Sequence, residues 1–285
     1  MPVGSKKFIP FRPHKFNMES IPDFKKIVFI GKTNTGKSTL VLDYLYHHKD
    51  VPIVTVISPT DMYNKTFSPH VPALLIHDEY SSDVIKEIQK RQHNLLINIA
   101  TIDEYKDVDP RITIVLDDCL ADATEWTKDK NIIDMFFNGR HKKMTIILTM
   151  QFSIGIPPKL RANFQYVFLC RDNRVVEQKK LYNNYGSMFP SFDMFKQVHD
   201  KCTENYGALV INLESTSSKL EDTVFWYKSS PELKPDWGTF QLCYDALWVN
   251  NQAIIDQKTN STVIDDDEPE YNTQKVKFNV IKQHR

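Results

Sequence analysis

The stretch Lys26 to His48 restricts this chain more than any other. Lys26-Ile27-Val28-Phe29-Ile30 is an apolar, β-branched run of strand length. The eight residues that follow, Gly31-Lys32-Thr33-Asn34-Thr35-Gly36-Lys37-Ser38, match the pattern GxxxxGK[ST]. Leu40, Val41, Tyr44, Leu45 and His48 then fall along one stripe of a helix. Strand, glycine-bracketed loop and helix in that order form a phosphate cradle, because backbone N–H groups and the positive end of a helix converge on one spot. Glycine is needed at 31 and 36, where a side chain would obstruct the wrap and positive φ must come cheaply. Against a nucleoside triphosphate such as ATP, Lys37 reaches the β- and γ-phosphates, the Ser38 hydroxyl sits on Mg²⁺ and Thr39 adds a phosphate contact.

Further apolar runs read as buried strands: Ile53–Ile57, Ala73–Ile76, Ile112–Leu116, Thr145–Leu148 and Tyr166–Cys170. Helical patterns lie between them. Ser81-Ser82-Asp83 offers N-caps for a helix with Val84, Ile88, Leu95 and Ile99 inward, and another helix runs from about Thr127 to a terminating Gly139. Alternation of this kind predicts an α/β fold with a mostly parallel sheet covered on both faces. Past Cys170 the pattern changes to a polar helix near Asn173–Tyr185, a Phe189, Phe192, Phe195 spacing that packs onto the core, and a C-terminal β-hairpin extension from Ala208–Leu213 and Thr223–Lys228.

With 285 residues the chain buries one large core, so a main domain over 23–230 is expected, with an N-terminal arm over 1–22, a segment over 231–256 and a mobile acidic and polar tail over 257–285. Lys plus Arg and Asp plus Glu both number 36, so a nucleic-acid-binding surface would have to be local rather than a property of the whole chain. Arg171, Arg174, Lys179 and Lys180 form a basic cluster that reads as a solvated helix face rather than a phosphate-binding one. Cys119, Cys170, Cys202 and Cys243 show no CxxC pair and read as reduced thiols. His47-His48 lacks partners at metal spacing. No apolar run has the length of a membrane span, which predicts a soluble protein.

Two acidic residues close the run Arg111-Ile112-Thr113-Ile114-Val115-Leu116-Asp117-Asp118. Asp117 is expected to hold Mg²⁺ through water, and Asp118 to orient and deprotonate an attacking water. Glu79 and Glu125 are the substitutes for Asp118 in that role. A later strand ends in Thr149-Met150-Gln151; lying between the phosphate-loop strand and the Asp117 strand, it would carry Gln151 to the γ-phosphate.

The segment Phe137-Asn138-Gly139-Arg140-His141-Lys142-Lys143, followed by a strand and Gln151, resembles the FtsK and HerA-like P-loop DNA translocases. It is more similar to the poxvirus-type genome-packaging ATPases of the nucleocytoplasmic large DNA viruses. The paired Asp, the stretch Pro157 to Asn163 before Tyr166-Val167-Phe168, and the strand Val224 to Lys228 add to that resemblance, which spans about Lys26 to Lys228. It implies a RecA-like P-loop NTPase core in a homo-oligomeric ring, hexameric or pentameric, that moves double-stranded DNA and meets capsid or packaging-vertex proteins. It also implies work in the cytoplasm of an infected host cell, and presence in the virion. Arg140 matches the position of a finger acting on the neighbouring subunit's site, with Arg161 as the reserve. Many relatives place Glu where this chain has Asp118. A small-molecule kinase and a nucleotide-stabilised scaffold are the competing readings; Gln151 and the compact motif order favour water as acceptor.

Overall fold

A computed structural model describes residues 11–119, 126–152, 156–229 and 240–262. The apolar runs become strands of one nine-stranded sheet: β1 (His14–Lys15), β2 (Lys26–Ile30), β3 (Ile53–Ile57), β4 (Ile76–His77), β5 (Ile112–Asp117), β6 (Met144–Met150), β7 (Tyr166–Leu169), β8 (Ala208–Asn212) and β9 (Val224–Tyr227). Their order across the sheet is β1-β9-β8-β7-β2-β6-β5-β3-β4. From β7 to β4 every pairing is parallel, while β8 runs antiparallel to both β7 and β9. This is the expected RecA-like P-loop architecture, with the β8–β9 hairpin extending it.

Side chains alternate between two cores, as the period of two in a strand requires. Val28, Ile30, Ile114, Leu116, Ile146 and Leu148 face one cluster; Ile27, Phe29, Val56, Val115, Ile147 and Phe168 face the other. The first core is roofed by α3 (Ser82–Thr101), α4 (Lys130–Asn138), α5 (Pro158–Arg161), α6 (Val175–Tyr185) and α7 (Phe192–Cys202). The second is closed by α1 (Lys37–His47), by Phe16, Met18 and Phe67, and by Phe240 and Leu242 from the chain's far end. Phe189 and Phe195 are buried in the first core, as their spacing predicts. The short α2 (Asp61–Asn64) follows β3.

Three expectations are modified. Ala73–Ile76 is not one strand: Ala73–Leu75 is a turn of 3₁₀ helix, and only Ile76 and His77 pair with β3. Pro72 sets this up, since its fixed φ opens the turn and its carbonyl accepts from Leu75 N–H at 2.8 Å. Helix α3 has the Ser81 cap expected of it and buries Ile88 of the expected stripe, with Val84 partly buried against the first core, but its other buried residues are Ile85, Gln89 and Gln92 rather than Leu95 and Ile99. Both glutamines are satisfied inside, Gln89 Nε2 donating to Asn131 O at 2.7 Å and Gln92 Nε2 to Pro110 O. An apolar count misses such residues because hydrogen bonding offsets their burial. Helix α8 (Asn251–Thr262) crosses the boundary drawn at 257. Asn251 Oδ1 accepts from Ala73 N–H at 2.6 Å and Lys258 Nζ donates to Ile76 O, so α8 is anchored beside the β4 edge of the sheet. The remainder of the expected tail, 263–285, lies outside the described residues, as do the first ten residues of the arm.

Candidate active site

Parallel pairing brings the carboxyl ends of β2, β5, β6 and β7 to one edge of the sheet. Ile30 lies level with Met150, and Asp117 with Thr149, so β6 stands between β2 and β5 as the Gln151 reading requires. At this edge the Gly31–Ser38 loop leaves β2, Asp117-Asp118 leave β5, Gln151 leaves β6 and Arg171 leaves β7.

The loop is pinned to the sheet at both flanks of β2's end. Gly31 N–H donates to Met150 O at 3.0 Å, and Cys170 N–H donates to Ile30 O at 2.8 Å. A Cβ at Gly31 would lie 2.5 Å from Cys170 Cβ and 2.6 Å from Thr35 Oγ1, so no side chain fits there. Gly36 has φ of +93° and caps α1; Asn34, at +62°, is the other left-handed residue of the turn. Thr35 Oγ1 donates to Lys32 O at 2.7 Å, closing the loop on itself. Lys32 pairs with the buried Asp172 at 3.2 Å. Burial pushes the Asp172 carboxyl up, but hydrogen bonds from Arg174 and from Lys32 outweigh it and leave the carboxyl below its usual value.

Lys37 is 5% exposed, and its ammonium donates to Lys32 O at 3.3 Å and pairs with Asp118 Oδ2 at 3.6 Å. An ammonium has three donors, so one remains to be aimed at a phosphate oxygen. Asp117 is 3% exposed; Thr149 Oγ1 donates to its Oδ1 at 2.8 Å and Ser58 Oγ to its Oδ2 at 3.0 Å. Burial raises its pKa, and so does the adjacent Asp118 charge, against the two hydroxyls and Lys37, which lower it. Asp118 takes φ of +46°, which turns it away from the line of β5, and its N–H donates to Thr149 Oγ1 at 2.9 Å. Gln151 Nε2 approaches Asp118 Oδ2 at 3.4 Å. Lys37, Asp117, Asp118 and Gln151 thus form one connected group with Thr149 at its centre.

The donor set suits a hard cation: Asp117 and Ser38 offer only oxygen. Among the described residues no three His, Cys, Asp or Glu side chains converge as a self-sufficient metal cage. Mg²⁺ at such a place would therefore depend on phosphate oxygens and water for most of its shell, which is its usual preference.

Arg140 stands elsewhere. It lies in the exposed turn that leads into β6, at the opposite edge of the sheet from the loop, where its charge is felt at Lys26, the first residue of β2. Arg161, at the end of α5, is felt at the Tyr185 hydroxyl. Neither has a hydrogen bond or ion pair to Gly31–Ser38 among the described residues. Glu79 is exposed after β4, beyond β3 from the Asp118 strand; Glu125 lies outside the described residues. The basic cluster is engaged in local structure, with Arg171 on Asn173 and Asp200 O, Arg174 on Asp172, Lys180 on Glu177 and Lys179 over the Phe192 ring. His48 stacks on Tyr44 and bridges two backbone carbonyls, a structural part. All four cysteines are free thiols, and no helix among the described residues is long and apolar enough to cross a membrane.

Sequence reasoning missed the hydroxyls of Ser58 and Thr149 as supports of Asp117. The signal was available: each is a polar residue at the carboxyl end of an apolar strand.

A model of the family described as Poxvirus A32 protein matches residues 14–211. A protein of Acanthamoeba polyphaga mimivirus is 38% identical over 226 residues, covering 77% of this chain and 78% of its own. Among solved structures, EssC (ATPases 2 and 3) from Geobacillus thermodenitrificans has a TM-score of 0.51 at 15% identity, covering 85% of this chain and 45% of its own, which shows the shared fold. The genome packaging NTPase of Sulfolobus turreted icosahedral virus 2 aligns over 72% of this chain and 98% of its own, with a TM-score of 0.49 and 15% identity. The chain belongs to the poxvirus A32 protein family, the poxvirus-type genome-packaging ATPases that its motifs resemble.

Proposed function

We propose that this chain is an ATP-hydrolysing motor that drives viral double-stranded DNA into capsids. The observation that carries the hydrolytic part is the placement of the Asp118 carboxylate 3.6 Å from Lys37 at the mouth of a glycine-bracketed loop. Gly31 to Thr39 wrap the triphosphate, and Lys37 neutralises the charge that grows on the β- and γ-oxygens. Ser38 and Asp117 would hold Mg²⁺, which when bound would supply Lewis-acid polarisation of the transferred phosphoryl group. Asp118 orients the attacking water and takes its proton; the Gln151 amide, within reach of Asp118, senses the presence of the γ-phosphate.

Membership of the poxvirus A32 family and a mimivirus relative support the viral setting, with infected-cell cytoplasm and virion as its places. Residues 23–230 are the ATPase unit of a homo-oligomeric ring that contacts capsid or packaging-vertex proteins. Arg140 supports the ring: from the far edge of the sheet it serves a neighbour's site and not its own. Asp118→Asn and Arg140→Ala should each cut ATP turnover by roughly 10²-fold or more while nucleotide binding persists. Mixing the two variants should restore part of the rate, because some interfaces then combine an intact Asp118 with an intact Arg140. Full turnover in Asp118→Asn removes the assignment of the base, and mixed assemblies as inactive as either parent remove the trans finger.

A further inference from the structure

Lys37, Asp118 and Gln151 fix the γ end of a triphosphate on the β6 and β5 side of the loop. The opposite side, towards β7 and β8, therefore receives the nucleoside. There the structure holds a cavity of about 490 Å³, with Asn34 and Thr35 of the loop on one wall and Arg171, Asn205 and Tyr206 on the other.

Tyr206 has no structural task that explains its position. It is 71% exposed and stacks on no ring among the described residues. It has φ of +65° directly after Asn205 at +51°, a conformation that a bulky side chain rarely takes. The turn is nevertheless firmly built. Arg171 Nη1 donates to Asp200 O at 2.6 Å, Thr203 Oγ1 to His199 O at 2.7 Å, and Gly207 N–H to Glu204 O at 3.0 Å. Gly207 admits no side chain, since a Cβ there would meet Cys202 O at 2.3 Å. These contacts hold Tyr206 against the phosphate loop: a Cβ built on Gly36 lies 3.6 Å from Tyr206 Cβ and 3.8 Å from Cδ1. An exposed aromatic ring, held in a strained backbone at the nucleoside end of a phosphate cradle, is a flat surface waiting for a flat ligand.

We propose that Tyr206 is the platform on which the nucleotide's base stacks, and that Arg171 is a positioning residue that holds its turn. The inference rests on the reading of Gly31–Ser38 as a triphosphate cradle. Stacking uses the π-face that every base has, so the ligand class is nucleoside triphosphate rather than adenine alone.

The test uses the full-length chain with Mg²⁺ and two probes, ATP and inorganic tripolyphosphate, which has no base. Tyr206→Gly removes the ring and relaxes the left-handed backbone, so the variant folds at least as well. It should bind ATP roughly tenfold more weakly and tripolyphosphate as the wild type does, while Tyr206→Phe stays within about twofold of the wild type for both. ATP affinity unchanged in Tyr206→Gly overturns the platform, and so does an equal loss for both probes. A Lys37→Ala chain separates the two claims. If it loses tripolyphosphate, the cradle stands and Tyr206 is judged on its own; if it binds tripolyphosphate as the wild type does, the cradle falls and the platform with it.

Discussion

Gly31 is fixed by its neighbours rather than by its own backbone angles. With Cys170 Cβ 2.5 Å and Thr35 Oγ1 2.6 Å from where a side chain would begin, even one methyl group must push β7 or the loop aside. Gly31→Ala should cost about 1–3 kcal/mol of stability and lower nucleotide affinity, since the displaced Thr35 is what closes the loop on Lys32 O. Thermal unfolding and ATP binding check this; a variant with wild-type values for both contradicts the packing argument. Lys37 was legible in the sequence from the glycine-bracketed spacing of its loop, and Asp117, Asp118 and Gln151 from their places at the ends of apolar runs. Ser58, Asp172 and Tyr206 were not. They reach the site from separate segments, and only the register of β3, β7 and β8 brings them there.

Among the elements, α7 and the loop after α2 show how buried histidines couple the fold to pH. His199 is fully buried, donates through Nε2–H to Cys170 O at 3.1 Å, and has Nδ1 without a hydrogen-bond partner among the described residues. His70 is stacked on Phe240 at 6% exposure. Burial lowers both pKa values, in each case against a hydrogen bond to a backbone carbonyl that raises them. Below the unfolded value of about 6.5 the unfolded chain binds more protons than the folded one, so stability falls as pH falls. Each histidine contributes up to about 1.4 kcal/mol per pH unit over that window. Denaturant midpoints should therefore be lower at about pH 5.5 than at about pH 7.5, and an equal or higher midpoint in acid contradicts the burial argument. Strand and helix periodicity carried most element assignments because both faces of the sheet are buried. It failed at Ala73–Ile76, where Pro72 starts a turn, and on α3, where Gln89 and Gln92 occupy inward positions. It failed again at α8, whose weak amphipathic pattern conceals its anchoring at the β4 edge through Asn251 and Lys258.

At the scale of the whole molecule, the sheet separates two kinds of chemistry. The phosphate loop, the paired carboxylates and Gln151 share its carboxyl edge, while Arg140 stands exposed at its amino edge. Under the proposed function a single chain is half of a site, and a ring would supply the other half. Acidic and basic residues balance at 36 each, so the proposed motor would grip DNA through local surface, with attraction that weakens in salt. The most direct measurement is steady-state ATP hydrolysis by the wild-type chain at low ionic strength, with and without duplex DNA, alongside the Asp118→Asn chain. Turnover that rises with duplex, falls back as salt is added and is absent in Asp118→Asn is expected of a DNA-driven motor. Turnover indifferent to duplex, or surviving in Asp118→Asn, contradicts it.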